Sequence, residues 1–134
     1  MISDAILPER SYLRMRLLAV HCSRKAPQAS LWRMAFHLTL FNTSRLGLRL
    51  LGRKWVIHDT ENKTHILEAE HLFGQDPMLS PGAVFAYSGY HDCPYCPTTI
   101  ELRIFGIDQL LVPFISTPCV FPNSVFPYTS LPTL

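Results

Sequence analysis

What this sequence has little of narrows the possibilities first. Charged residues make up only 16% of its 134 residues, well below the roughly one quarter usual in globular domains. That scarcity, with a hydrophobic content of 48%, excludes a highly charged disordered chain. Six glycines and eleven prolines, without period, are too few and too scattered for a fibrous protein. No apolar run approaches the ~18 residues of a membrane-spanning helix, so no membrane role is expected. The segment MISDAILPERSYLRMRLLAVH has early acids and arginines inside its apolar stretch. It lacks the basic start and unbroken apolar run of a secretory signal. The expected setting is cytoplasmic, with the four cysteines (Cys22, Cys93, Cys96 and Cys119) as reduced thiols.

What is present is a period of two, the mark of strands with one buried face. It is clearest over residues 31–41, where Trp32, Met34, Phe36, Leu38 and Leu40 alternate with Arg33, Ala35, His37 and Thr39. Residues 12–22 alternate too, with Leu13, Met15 and Leu17 opposite Tyr12, Arg14 and Arg16. The polar segment 23–30, with Pro27, reads as a hairpin loop between them. Residues 46–58 form a long third strand in which Leu48 and Leu50 share one parity and Trp55 and Ile57 the other. Both pairs can reach one core only if the register slips, and Gly52 is a natural site for a β-bulge.

Four more strands follow, over 64–70, 83–89, 98–105 and 109–115. Breaks fall at 59–63, at the Pro- and Gly-rich stretch 74–82, at HDCPYCP (91–97), and at a tight turn over Gly106–Asp108. Seven short strands at this spacing, with no sustained helical period, imply an all-β sandwich or barrel. At 134 residues the chain is one domain by length, able to bury about two-thirds of its unfolded surface.

Charge is unevenly divided. Residues 1–54 hold ten Lys and Arg against two acids, and residues 55–134 hold two against eight. The early arginines Arg14, Arg16, Arg33 and Arg49 are a candidate anion face for pyrophosphate, RNA or an acidic partner. The competing reading pairs them across strands with Glu68, Glu70 and Glu101. Interleaved aromatics that would stack bases are sparse, so nucleic acid is not expected. His91, Cys93 and Cys96 form a candidate zinc or thiol site, although one Cys-x-x-Cys pair falls short of the four ligands of a structural zinc. The competing reading is a proline-kinked loop with two ordinary thiols. Six histidines are present, but none lies in a nucleophile elbow or a metalloprotease motif, so no catalytic residue is assigned.

Two blocks carry a family resemblance. The strand Leu50-Leu51-Gly52-Arg53-Lys54-Trp55-Val56-Ile57 resembles the LL(G/S)R-x-W-x-I strand of the ApaG family. The loop with Gly74, Pro77 and the Pro81–Gly82 turn, followed by Phe85-Ala86-Tyr87-Ser88, resembles its second signature. With the flanking strands the resemblance covers residues 10–118. It implies a fibronectin type III or immunoglobulin-like β-sandwich of seven to eight antiparallel strands. It also implies a non-catalytic module that needs no cofactor. Bacterial members are linked to cobalt resistance and magnesium efflux. Eukaryotic relatives use the domain for protein interaction, in an F-box protein and in a protein that binds a DNA polymerase.

The chain departs from the family pattern at Ala69–Gly74, where a G-x-G-x-x-G run keeps only its last glycine. Without those glycines, and with Glu68 and Glu70 beside the stretch, a phosphate cradle is not expected. The resulting layout is a tail at 1–9, the sandwich at 10–118 and a proline-rich tail at 119–134. The expected function is binding, with a protein partner first, a homodimer as one form of it, and a small-anion or divalent-metal role second.

Overall fold

The computed structural model describes residues 7–24, 32–71, 74–94, 96–122 and 128–129. Eleven strands run β1 (Glu9–Arg10), β2 (Leu13–Arg24), β3 (Trp32–Asn42), β4 (Leu48–Asp59), β5 (Thr64–Ala69), β6 (Met78–Leu79), β7 (Val84–Cys93), β8 (Pro97–Asp108), β9 (Pro113–Ser116), β10 (Cys119–Pro122) and β11 (Tyr128–Thr129). They make two sheets. One is ordered β1-β9-β8-β4-β5, with β10 also on β8 and β6 also on β4. The other is ordered β11-β2-β3-β7. All pairings are antiparallel except the short β1–β9 and β11–β2 contacts. The architecture is the all-β sandwich expected from the alternation, with no helix among the described residues. None of their segments is a helix long and apolar enough to cross a membrane.

Alternation decides what is buried. In β3, Met34, Phe36, Leu38 and Leu40 face inward, opposite Ile100, Leu102 and Ile104 of β8 in the other sheet. Trp32, Phe85 and Tyr87 are only partly buried and pack against the margin of the core. The slip expected in β4 is present. Leu50 pairs with Gly106 and Gly52 with Phe105, so Leu51 is the extra residue. Leu48 and Leu50 before it, and Trp55 and Ile57 after it, all enter the core.

Three expectations are corrected. Gly106 does not turn the chain but sits inside β8. A Cβ there would lie 2.7 Å from the Arg49 carbonyl oxygen and 2.8 Å from the Phe114 ring. The glycine is thus required by close approach, and the turn falls after Asp108, which delays β9 to Pro113–Ser116. The break expected over 91–97 shrinks, because β7 continues to Cys93 and β8 begins at Pro97. The stretch 74–82 is not wholly loop, since Met78–Leu79 pairs with Leu48–Arg49. Cys119–Pro122 pairs with β8, and Phe121 is buried. Most of the loop expected over 23–30, together with residues 123–127 and 130–134 of the expected tail, lies outside the described residues.

Trp55 is fully buried and packs on Phe36 at 5.0 Å between ring centroids. Trp55→Ala is expected to cost about 3–5 kcal/mol in chemical denaturation, as a large-to-small change in the core. A loss below about 1 kcal/mol would show that the indole is not the seal between the sheets.

Candidate functional site

The surface is concave at one end of the sandwich. A groove of about 530 Å³ has Leu48, Leu79 and Ile107 in its lining and Arg49, Met78 and Leu111 beside them. The family-motif loop builds one wall. Ser80-Pro81-Gly82-Ala83 forms a turn closed by the Ala83 N–H on the Ser80 carbonyl at 2.9 Å, with Gly82 at φ 82°. That positive φ is why proline then glycine stands there. Gly74 also adopts a positive φ, 79°, and the Pro77 carbonyl accepts the Leu50 N–H at 2.9 Å. Asn42 anchors this wall from the buried interior. Its Nδ2 donates to the Leu46 and Leu79 carbonyls at 2.8 and 3.0 Å, and its Oδ1 accepts from the Ser44 N–H and hydroxyl.

The opposite wall carries a strained leucine. Two turns, after Asp59 and after Asp108, share one construction. In each, the aspartate Oδ1 accepts the backbone N–H groups two and four residues on. In each, the N–H three residues on donates to the aspartate carbonyl. That third residue is left-handed in both: Asn62 at φ 59° and Leu111 at φ 63°. Asparagine tolerates this conformation, whereas a leucine costs roughly 1–2 kcal/mol there. Leu111 is 77% exposed, and Met78 across the groove is 78% exposed. A costly conformation thus displays an apolar side chain to solvent, where the sister turn uses asparagine.

The four arginines expected to act together do not form one face. Arg14, Arg16 and Arg33 lie on the outer side of the β2–β3 pair, and Arg49 lies in the other sheet beside Asp76 at 4.0 Å. Arg33 is engaged with Asp92 through two contacts, at 2.9 and 3.2 Å, and lies 3.8 Å above the Tyr90 ring. Glu68 and Glu101 belong to the sheet of Arg49, so they do not neutralise Arg14, Arg16 and Arg33 across strands. The aromatics beside the arginines, Phe41 and Tyr90, were not legible as neighbours until strand register was known.

The other sequence candidates are placed separately. Arg53 is half-buried at the flank of the core, its Nη1 donating to the His71 carbonyl, and burial lowers its pKa. Cys96 is buried, its Sγ 3.8 Å from the Pro97 carbonyl oxygen. The side chain of Cys93 lies outside the described residues. His91 points between the sheets, stacked on Phe36 at 5.3 Å and edge-on to Trp55 at 5.0 Å. Its Nε2 and the Trp55 Nε1 are both buried without a hydrogen-bond partner among the described residues. No group of three His, Cys, Asp or Glu side chains among those residues is arranged to hold a metal.

Burial, helped by the nearby Arg53 cation and opposed by Asp92, pushes the His91 imidazole down to about 4. The unfolded chain therefore takes up this proton first as pH falls, and stability drops between about pH 6.5 and pH 4. Asp59 acts in the same direction. Burial would raise its carboxyl, but hydrogen bonds from His65 and from the Lys63 and Glu61 N–H groups outweigh this and hold it low. Its stabilisation is lost at the lower end of the acid range. Thermal melts of His91→Phe are expected to lose most of the wild-type decline between pH 6.5 and 4. An unchanged decline would show that His91 titrates normally in the fold.

Comparison with known proteins bears on this geometry. A family model described as the ApaG domain matches residues 22–101. Protein ApaG from Methylococcus capsulatus is 34% identical over 77 residues, covering 57% of this chain and 61% of that protein. Protein ApaG from Aromatoleum aromaticum is 37% identical over 62 residues, covering 46% and 49%. The chain thus spans about half to three-fifths of the length of these relatives. Among solved structures, the putative ApaA protein from Bordetella pertussis superposes with a TM-score of 0.67 at 20% identity, over 86% of this chain and 97% of that one. A structural-genomics target superposes at 0.71 and 14% identity, over 83% and 86%. At those identities the two structures speak to the fold, which they share with this chain. With the family model spanning more than half of its residues, the chain belongs to the ApaG domain family.

Proposed function

We propose that this chain is a non-catalytic binding module that works in the cytoplasm and whose partner is a protein. The partner docks an apolar side chain into the groove between Met78 and Leu111. The observation that carries this reading is the left-handed Leu111 at the rim, where the sister turn has Asn62. Backbone strain that persists in a fold is commonly tied to a function of the strained residue. An exposed apolar rim over a concave floor is also the usual form of a contact surface.

The polar side chains favour binding over catalysis. His37 meets the Ser88 hydroxyl at 2.6 Å on the exposed face, yet no carboxylate among the described residues orients that imidazole. His65 and His71 are taken up by Asp59 and Asp76, at 2.6 and 3.0 Å. A link to cobalt and magnesium handling, implied by the family resemblance, would then run through the partner rather than through an ion held by this chain. A specific rise in melting temperature with cobalt or magnesium would contradict that placement.

Leu111→Asn tests the groove directly. It relieves the turn, so unfolding free energy is expected to rise by about 1 kcal/mol. Partners retained on the immobilised chain should fall at the same time, and Met78→Glu should abolish them without lowering stability. A stabilised Leu111→Asn chain that keeps its partners would overturn the groove as the docking surface.

A further inference from the structure

The outer face of the β11-β2-β3-β7 sheet carries charge that the fold does not use. Arg14 and Arg16 stand on the same side of β2, about 7 Å apart along an extended strand. Both guanidinium groups lie over one ring, Phe41, at 6.0 and 5.8 Å from its centroid. Such ring contacts orient a guanidinium while leaving N–H groups for an acceptor. Neither arginine has a carboxylate within ion-pair distance among the described residues. Arg33, further along the face, is already committed to Asp92 and Tyr90.

The first half of the strand that carries this pair is also an edge among the described residues. From Leu13 to Leu18, β2 pairs with β3 on one side, and no described strand pairs with its other side. An edge strand offers unpaired backbone donors and acceptors to an extended peptide. Side chains of an added strand alternate, so residues two apart face the same way. Carboxylates at that spacing would match Arg14 and Arg16. The residue between them would continue the inward row of Leu13, Met15 and Leu17. A nucleic acid fits less well, since the faces it would stack on, Phe41 and Tyr90, are already covered by arginines.

We propose that the Leu13–Leu18 edge of β2 takes an acidic segment of a partner protein as an added strand, in an acid–apolar–acid pattern read by Arg14 and Arg16. This rests on the protein-partner reading above and adds a second contact to it. The test is fluorescence anisotropy at low salt with a labelled peptide alternating Glu and Val, its Lys–Val counterpart, and an oligothymidine of equal charge. The Glu–Val peptide is expected to bind, and to weaken by about tenfold or more with Arg14→Glu/Arg16→Glu. The Lys–Val peptide should gain binding to that variant, and Met78→Glu should leave Glu–Val binding unchanged. If the charge-reversed chain does not fold, Arg14→Gln/Arg16→Gln replaces it. No binding of the Glu–Val peptide, undiminished binding to the variant, or tighter binding of oligothymidine would overturn the proposal. If the peptide fails while Met78→Glu still abolishes partner capture, the groove reading stands and the edge assignment falls.

Discussion

A single extra residue in β4 holds the molecule together. A strand without a bulge would send Leu48 and Leu50 to one face and Trp55 and Ile57 to the other. Leu51, left unpaired between Leu50 and Gly52, switches the parity so that all four enter one core. The same switch sorts the charges. Arg49, before the bulge, stays at the surface beside the groove, and Arg53, after it, turns to the flank of the core near His91. The groove and the buried Trp55–His91 contact thus draw on one strand, on either side of the Leu51 bulge.

The two aspartate-capped turns separate stability from display. They satisfy the same backbone groups with the same acid, so the fold requires nothing more of the residue three positions on than a left-handed conformation. Asn62 meets that requirement at low cost. Leu111 meets it at a cost, and sits where its side chain faces open solvent across from Met78. The difference between two locally equivalent sites argues for function more strongly than exposure alone, since single exposed apolar residues are common. The inward-facing histidine differs in kind. Its neutral imidazole lies between aromatic rings, and its sensitivity to acid is a property of the core.

Much of the fold was legible because alternation is a local signal that burial enforces. The seven principal strands, the β4 slip and the inward row of β3 follow from it. Close approach left no such signal. Gly106 looked like a turn glycine until Phe114 and the Arg49 carbonyl were found against it. The site was far less legible. Arg14, Arg16, Arg33 and Arg49 seemed one group because they crowd the first 54 residues, yet sheet assignment separates Arg49 from the rest. Phe41 and Tyr90 became neighbours of arginines only through cross-strand register. Leu111 carried a signal that comparison within the chain could have found, since DTENK and DQLLV align aspartate to aspartate and asparagine to leucine.

The most direct measurement is deletion of Leu51 in a Trp32→Phe background, followed by Trp55 fluorescence and thermal melting. Without the extra residue, either Leu48 and Leu50 or Trp55 and Ile57 must face solvent. The account predicts loss of the cooperative melt and an emission maximum shifted to that of a water-exposed indole. A cooperative melt like that of the parent, with the emission of a buried indole, would contradict it.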